Sequence, residues 1–208
     1  MWHQQGLILK LHEAGAIKFG HSSDVNSTRL IHPPLSIDLK RVISHPSLLQ
    51  QVSEAIWHKV QPYTFDLICG IPYTALTIAT AISLEHQIPM VLRRKDIKEH
   101  STKKKIEGDY QEGQTCLIIE DVVTSGISIE ETIKLLEEEK LHVKDAVVFI
   151  DREQGGKQIL GKHGYHLHSV FTLHQVLEVL EKNRKIDHET ALKALAFIRD
   201  HQVVHHLT

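Results

Sequence analysis

The sequence predicts an α/β fold with a mainly parallel, twisted sheet that is flanked by helices. From residue 65 onward, short apolar runs of strand length alternate with segments of helical periodicity, and turn-forming residues separate the two. Strands that alternate with helices form βαβ units, in which the crossovers are right-handed and the strands parallel. The expected strands are 65–69, 90–93, 116–119, 146–150 and 166–171.

Helices are indicated between these strands and at both ends of the chain. Leu7, Ile8, Leu11 and Ala14 share one face of an opening helix within 1–20, and Gly15 would follow the end of that helix. After Pro33-Pro34 the chain is expected to be extended. The expected helices are 1–20, 48–60, 75–85, 128–138 and 189–201, and the expected extended stretch is 35–39.

Length and composition fit one sizeable domain. The chain has 208 residues, 41% of them apolar and 24% charged, which is enough for a full α/β core. A net charge of −2 argues against nucleic acid as a partner. No apolar run reaches the roughly 18 residues that would indicate a membrane span. We expect a single domain over 1–208, with an N-terminal helix and hood (1–40), a core (65–172), a mobile basic loop (93–113) and C-terminal helices (175–208).

Cysteine and histidine usage bears on compartment and metal binding. Cys69 and Cys116 both fall in expected buried strands, so a disulfide scaffold is disfavoured and the reducing cytoplasm is the expected location. The 17 histidines are scattered along the chain. The densest groups, H-x-x-H-x-H within 163–168 and His205-His206, lack a convincing set of partner ligands, so we expect no direct metal site on the protein.

The most informative segment is 115–126, which reads T-C-L-I-I-E-D-V-V-T-S-G. Its apolar run ends at two adjacent carboxylates, Glu120 and Asp121, and a helical pattern begins after Gly126. The motif is therefore expected where a strand ends and a helix begins. Open α/β sheets bind ligands at that edge, and the free backbone N–H groups of a helix start accept phosphate.

These residue types suit a ribose 5-phosphate. Thr124, Ser125 and Gly126 let the backbone approach a phosphate, and the hydroxyl groups add donors. Glu120 and Asp121 are placed to accept hydrogen bonds from vicinal sugar hydroxyls, or to lie near a metal that the substrate holds. The alternative is an acidic strand end followed by an ordinary helix with Thr124 or Ser125 as its N-cap.

A basic segment follows the strand expected at 90–93. Its length without apolar periodicity is typical of a functional loop. We expect a mobile lid that gathers positive charge around a polyanion, with His100 as a titratable donor near its tip; a solvated surface loop is the alternative. No aromatic residues are interleaved, which disfavours a nucleic-acid surface. Its cations are Arg93, Arg94, Lys95, Lys98, Lys103, Lys104 and Lys105.

Together, three segments resemble type I phosphoribosyltransferases in content and order. They are C-G-I-P-Y-T-A-L-T-I-A-T-A-I-S (69–83), R-R-K-D-I-K-E-H with a downstream I-E-G (93–100, 106–108), and L-I-I-E-D-V-V-T-S-G (117–126). A fourth, D-R-E-Q-G-G (151–156), resembles the signature of orotate phosphoribosyltransferase. The sequences of 65–83 and 87–126 are most similar to the N-terminal domain of animal-type UMP synthase.

The resemblance implies a type I phosphoribosyltransferase fold and a Mg²⁺-dependent reaction. Ribose 5-phosphate would pass from 5-phosphoribosyl 1-pyrophosphate (PRPP) to orotate, giving orotidine 5′-monophosphate and pyrophosphate in UMP biosynthesis. Mg²⁺ would arrive with PRPP and lie near Asp121. A homodimer with shared active sites is implied. The chain is then either a stand-alone enzyme that hands its product to a separate orotidine 5′-monophosphate decarboxylase, or an excised domain of a bifunctional protein.

The resemblance also implies roles for individual residues. Lys98, His100 and Asp121 would be catalytic, and Lys98 and His100 would reach into the neighbouring subunit's site. Arg152, together with Thr124, would hold orotate. PRPP would be bound at its pyrophosphate by Tyr73, Thr74, Arg94 and Lys95, at its ribose hydroxyls by Glu120 and Asp121, and at its 5-phosphate by Val123, Thr124, Ser125, Gly126 and Ser128.

The segment 21–32 departs from the family pattern. It is longer than usual and has no clear counterpart of the family's N-terminal motif lysine, for which Arg29 is a candidate substitute. Ser101 stands where the lid usually has glycine. Two alternatives therefore stay open: a phosphoribosyltransferase for another base, and a non-catalytic PRPP-binding regulator. The lid cations are retained, which favours an enzyme.

Overall fold

Helices and strands alternate along the chain in a computed structural model that describes residues 2–20, 34–94 and 105–203. The side chains of residues 2–4 are not described. The elements are α1 (Trp2–Glu13), β1 (Ile17–Phe19), β2 (Leu35–Ile37), a 3₁₀ helix (Leu39–Ser44), α2 (Pro46–Val60), β3 (Leu67–Gly70), α3 (Thr74–His86), β4 (Met90–Arg93), β5 (Ile106–Glu107), β6 (Cys116–Val123), α4 (Ile127–Glu138), β7 (Asp145–Asp151), α5 (Gly156–Lys162), β8 (His166–Thr172), α6 (Leu173–Lys182) and α7 (His188–Asp200).

The main sheet has six described strands in the order β5-β4-β3-β6-β7-β8. Every neighbouring pair is parallel except β4 and β5, which are antiparallel at the edge. This confirms the expected α/β fold with a mainly parallel sheet. The chain leaves β3 for β4 on one side and later returns to place β6 on the other side. A crevice therefore opens between the ends of β3 and β6, where such folds bind ligands.

The pairing register makes β6 project beyond β3. Gly70, the last residue of β3, pairs with Ile119. The four residues after Ile119 continue as a strand against β7 alone, with Glu120 opposite Val148 and Val123 opposite Asp151. This overhang forms one wall of the crevice, and it carries the acidic pair.

Both faces of the sheet are covered, as a parallel sheet requires. On one face, Phe149 is fully buried against helices that include α1, α2 and α6, and it meets Phe171 edge to face at 5.4 Å between ring centroids. On the other face, strand residues pack against Ile133 of α4 and Leu160 of α5. Cys69 and Cys116 lie in this second layer, and both are free and fully buried. In the part of the chain that the structure describes, no helix combines the length and the apolar character needed to cross a membrane.

Three sequence-based boundaries are wrong near the N-terminus and in the central strand. The opening helix does not extend to residue 20: it ends at Glu13, Gly15 follows its end as expected with φ of +71°, and Ile17–Phe19 then pairs with β2. The extended stretch expected over 35–39 ends at Ile37, and Asp38 caps the 3₁₀ helix by accepting from Lys40 N at 3.2 Å. The strand expected over 116–119 continues to Val123, because the ladder to β7 carries the two acids along with it.

Four described elements were not expected from the sequence: β1, the 3₁₀ helix, β5 and α5. The helix α6 falls within the C-terminal helices expected over 175–208 and begins two residues earlier. β5 lies inside the predicted basic loop, where Ile106 is buried and pairs with Arg93. The short helix α5 follows Gly155, and α6 begins at Leu173 behind a capping box between Thr172 and Gln175. The remaining expected elements are confirmed to within two residues at most ends, and the strand 90–93 coincides with β4.

Candidate functional site

The loop from β6 to α4 lines a pocket of about 220 Å³ at the carboxyl edge of the sheet. Gly126 takes φ of +84° and is the N-cap residue of α4, so neither Thr124 nor Ser125 is its N-cap. The first N–H groups of an α-helix have no acceptor within the helix, and the helix dipole adds partial positive charge there. The pocket therefore has the properties of an anion site. Its lining comprises Glu120, Val122, Val123, Thr124, Ser125, Gly126, Ile127, Ser128 and Ile129.

The acidic pair lies beside this loop in two different environments. Glu120 is only 9% exposed, and its Oε1 accepts a hydrogen bond from the Asp121 backbone N at 3.0 Å. Asp121 is half-buried, and its Oδ1 accepts from Val122 N at 2.8 Å. Burial, reinforced by the neighbouring Asp121, raises the pKa of Glu120 to about 9, while Arg93 acts in the opposite direction. This shift favours the protonated form of Glu120, and a protonated carboxyl can both donate and accept hydrogen bonds to a diol.

A second loop, residues 152–156, lies directly against the first. We call it the Arg152 loop. The Arg152 backbone N donates to Val123 O at 3.0 Å, and the Gly156 N donates to Thr124 O at 3.1 Å. A Cβ atom on Gly156 would lie 2.9 Å from Val123 Cγ2 and 3.0 Å from Thr124 O, so only glycine fits there without movement. The two loops therefore form one continuous surface.

The Arg152 side chain is partly buried and incompletely satisfied. Its Nε is buried and has no hydrogen-bond partner among the described residues, and burial lowers the pKa of the guanidinium. Buried donors normally have an acceptor, so this nitrogen is a candidate contact for an anionic ligand. Asp151, directly before it, accepts from Glu153 N at 2.8 Å, and burial raises the Asp151 pKa.

The turn between β3 and α3 holds Tyr73 and Thr74 at the same edge of the sheet. Tyr73 is 62% exposed, whereas Thr74, the first residue of α3, is only 4% exposed and has little surface open to a ligand. Thr74 O accepts from Thr77 Oγ1 at 2.7 Å. Of this predicted pair, Tyr73 thus has a side chain that a ligand could reach. Thr74 could contribute to a binding site only through its backbone.

At the end of β4, two consecutive arginines have different partners. Arg94, a predicted pyrophosphate ligand, forms an ion pair with Glu107 at 2.9 Å and would have to leave it to reach a ligand. Arg93 instead extends to α4, donating to Thr132 Oγ1 at 2.8 Å and pairing with Glu131 at 2.8 Å. It braces the helix whose N-terminus forms the anion site. Sequence reasoning placed Arg93 only among the loop cations, and nothing local signals its contact with a helix 35 or more residues away.

Several predicted residues lie outside the described part of the chain. They are Lys95, Lys98, His100 and Arg29, together with Ser101 and the unusual segment 21–32. Their predicted roles stay predictions. Of the other predicted residues, the structure brings Glu120, Val123, Thr124, Ser125, Gly126 and Ser128 to one pocket, sets Asp121 and Arg152 beside it, and leaves Tyr73, Thr74 and Arg94 on neighbouring strand ends.

Within 2–20, 34–94 and 105–203, no group of three or more His, Cys, Asp and Glu side chains is arranged to hold a metal ion. The histidines of the H-x-x-H-x-H segment pair with acids: His163 with Glu130 at 2.6 Å, and His168 with Asp145 at 2.7 Å.

Comparisons with known proteins agree with this architecture. The phosphoribosyl transferase domain model matches residues 38–182. Uridine 5′-monophosphate synthase of Bos taurus is 45% identical over 203 residues, which is 95% of this chain and 41% of the bovine protein. Orotate phosphoribosyltransferase of Chlamydia felis is 41% identical over 197 residues, or 93% of each chain. The solved structure of Leishmania donovani UMP synthase superposes with a TM-score of 0.83 at 32% identity, covering 95% of this chain and 42% of that one.

The chain thus spans less than half the length of the UMP synthases that it matches, but nearly all of the chlamydial relative. The domain match covers β3 to β8, which are the elements that carry the pocket and the Arg152 loop. By both measures, this chain belongs to the phosphoribosyl transferase family, among the orotate phosphoribosyltransferases.

Proposed function

We propose that this protein transfers ribose 5-phosphate from PRPP to orotate, giving orotidine 5′-monophosphate and pyrophosphate in the synthesis of UMP. The observation that carries the proposal is the contact of the two loops, in which Arg152 N donates to Val123 O at 3.0 Å. It sets a partly buried arginine beside an anion pocket at a helix start. The name of the 41% identical chlamydial relative supports the same activity.

PRPP would lie along the overhang of β6. Its ribose hydroxyls would form hydrogen bonds with Glu120 and Asp121. Its 5-phosphate would accept hydrogen bonds from backbone N–H groups of the β6–α4 loop, at Val123, Thr124, Ser125, Gly126 and Ser128. Mg²⁺ favours oxygen ligands and keeps several waters, so it would enter with PRPP near the half-buried Asp121 carboxylate. In the proposed arrangement the protein orients this complex, with Tyr73, Thr74, Arg94 and Lys95 toward the pyrophosphate.

Orotate is an anion with a planar ring and a carboxylate. Arg152 would hold it by charge-assisted hydrogen bonds, and Nε, which lacks a partner among the described residues, suits a bidentate contact. Thr124 would add a polar contact. Its position beside the Arg152 loop is fixed, because its carbonyl accepts a hydrogen bond from Gly156 N.

Leaving of pyrophosphate builds positive charge on the ribose and negative charge on the departing oxygens. Cations at the pyrophosphate stabilise this separation best when water is excluded. Lys98 and His100 would supply that charge from the basic segment, and Asp121 would stabilise the ribose side. A well-placed group of this kind contributes about 3 kcal/mol to transition-state stabilisation.

Further features belong to the proposal. The protein would act as a single domain in a homodimer that shares its active sites, with an N-terminal helix and hood within residues 1–40. Two free, buried cysteines support a reducing location such as the cytoplasm. A separate orotidine 5′-monophosphate decarboxylase would consume the product.

The test is a spectrophotometric assay with orotate, PRPP and Mg²⁺. We expect magnesium-dependent loss of orotate absorbance, which Asp121→Asn abolishes and the exposed control Asp200→Asn retains. If the wild type consumes no orotate but PRPP still stabilises it against heat, the search moves to another base. If it neither consumes orotate nor is stabilised by PRPP, the assignment is overturned.

A further inference from the structure

The chain's last described residues lie on the Arg152 loop. We call residues 201–203 the C-terminal segment. Three hydrogen bonds join the two: Gln154 Nε2 donates to His201 O at 2.8 Å, Gln202 Nε2 to Glu153 O at 2.9 Å, and Val203 N to Gln154 O at 2.8 Å. The bonded residues of the loop and the segment are about 50 positions apart in the chain, and none of the three bonds is part of a helix or a sheet.

The two backbones also approach each other closely at Gly155. Gly155 has φ of +108°, and a Cβ atom there would lie 2.7 Å from Val203 O. Gln154, next to it, is only 4% exposed. The C-terminal segment therefore occupies the space over the loop, and no side chain at position 155 could share that space.

The loop has a backbone shape that needs external support. Glu153 takes φ of +57° and Gly155 of +108°, so two of its five residues adopt left-handed conformations. A non-glycine residue in that region costs about 1 kcal/mol and persists where its surroundings hold it. Two groups hold Glu153: its carboxylate accepts from His174 N at 2.9 Å and from the His174 ring at 2.6 Å, and its carbonyl accepts from Gln202.

The C-terminal segment is itself anchored to the body of the protein. Gln202 Nε2 also donates to Ile198 O at 2.8 Å, and Ile198 of α7 is buried in the core. The His201 ring stacks on Phe197 at 4.0 Å between centroids. The Gln202 amide is therefore a fixed link between α7 and the carbonyl of Glu153.

We propose that Gln202 and Gln154 are positioning residues, and that the C-terminal segment sets the affinity for the anionic base by holding the Arg152 loop. The proposal rests on the proposed function for the identity of the base. It predicts a selective effect, because residues 201–203 bond directly to the Arg152 loop. The β6–α4 loop that would hold PRPP meets the Arg152 loop at the Val123 and Thr124 carbonyls, but it continues into α4, which Arg93 supports independently of residues 201–203.

The first experiment measures KM for orotate and for PRPP in Gln202→Ala and Gln202→Glu. Loss of one such hydrogen bond is worth about 1 kcal/mol, or about fivefold. We expect KM for orotate to rise about fivefold in both variants, with KM for PRPP and Tm unchanged. Gln51→Ala is the matched control, because Gln51 Nε2 also donates to the carbonyl four residues earlier, Ser47 O at 2.8 Å, far along the chain from the loop.

The second experiment is amide hydrogen exchange on the ligand-free proteins, which does not depend on turnover. Gln202→Ala should speed exchange within 152–156 and leave 123–128 unchanged. An unchanged rate in 152–156, or an equal rise of both KM values with a fall in Tm, would overturn the proposal. If the wild type turns over no orotate, the proposed function fails, and the exchange experiment still decides whether the segment holds the loop.

Discussion

Gly70 lies so close to Ala75 that a Cβ atom on Gly70 would stand 2.5 Å from the Ala75 carbonyl oxygen. The same atom would lie 2.8 Å from Leu76 Cα, so the obstacle is helix backbone that cannot turn aside. The end of β3 and the start of α3 therefore fit together only with glycine at this position. The turn between them is the one that presents Tyr73 at the candidate site.

Gly70→Ala should consequently lower the free energy of unfolding by about 3 kcal/mol, the upper part of the usual cost of overpacking. Urea denaturation measures it. Gly161→Ala is the control, because Gly161 lies in α5 with nothing within 4 Å of a new Cβ atom. That variant should be neutral or slightly stabilised, since alanine favours a helix over glycine. Equal stabilities for the two variants would contradict the packing argument.

Arg93→Met should weaken both the fold and the anion site. The variant keeps the apolar stem of a side chain that is 18% exposed, but it loses the bonds to Thr132 and Glu131. We expect a loss of about 2 kcal/mol in unfolding free energy, because Thr132 is left buried beside the vacated contacts. PRPP-dependent thermal stabilisation should fall as well. Arg199→Met, which alters an exposed ion pair with Asp200, should change stability by no more than about 0.5 kcal/mol. Equal behaviour of the two arginine variants would remove Arg93 from the support of α4.

Glu120 should make stability fall as pH rises. Burial raises its folded pKa to about 9 from the ordinary 4.5, so between these values the folded protein keeps a proton that the unfolded chain has released. Stability from this group is therefore complete below pH 4.5 and is lost as pH rises toward 9. Between pH 5 and pH 9, the wild type should lose at least about 1 kcal/mol relative to Glu120→Gln, one pKa unit being worth about that much.

Unfolding free energies at pH 5, 7 and 9 measure this difference for Glu120→Gln. Glu112→Gln, at an exposed surface pair with Lys140, should follow the wild-type slope. Parallel curves for the wild type and Glu120→Gln would show that the Glu120 carboxyl is ionised in the folded protein throughout this range.

Shared active sites can be tested by mixing two inactive proteins. Lys98→Ala and Asp121→Asn should each lower turnover sharply. If Lys98 acts in the partner's site, a hybrid dimer has one site with both substitutions and one intact site. Random pairing in an equal mixture then restores about a quarter of wild-type activity. No recovery, with subunit exchange verified by mass spectrometry, would argue that each subunit works alone.

The sequence predicted the alternation of strands and helices because that alternation is local. The run before Glu120 and the helical spacing after Gly126 lie within a few residues of each other, and both are confirmed. The overhang of β6 could not be predicted, because an acidic pair ordinarily ends a buried strand. Only pairing with Val148 and Ile150 of β7 keeps the chain extended through it.

The candidate site was also predictable only in part: its motifs could be recognised, but its long-range contacts could not. The β6–α4 loop and the Arg152 loop were both recognised from short motifs, and the parallel sheet brings their ends to one edge. Contacts between distant segments leave no recognisable pattern in the sequence. The contacts of Arg93 with Thr132 and of Gln202 with Glu153 join residues about 40 and 50 positions apart, and in a sequence an arginine or a glutamine looks the same wherever its partner lies.

The two buried thiols make the opening of the central sheet measurable by chemical labelling. Cys69 and Cys116 are fully buried on the adjacent strands β3 and β6. Burial raises the pKa of the Cys69 thiol to about 12 and that of Cys116 well above its ordinary value. Thiol reagents react with the thiolate. In the closed sheet both cysteines are therefore unreactive for two reasons: the reagent cannot reach them, and their thiols stay protonated. The labelling rate of the unmodified protein therefore reports how often its central strands separate, without any introduced probe.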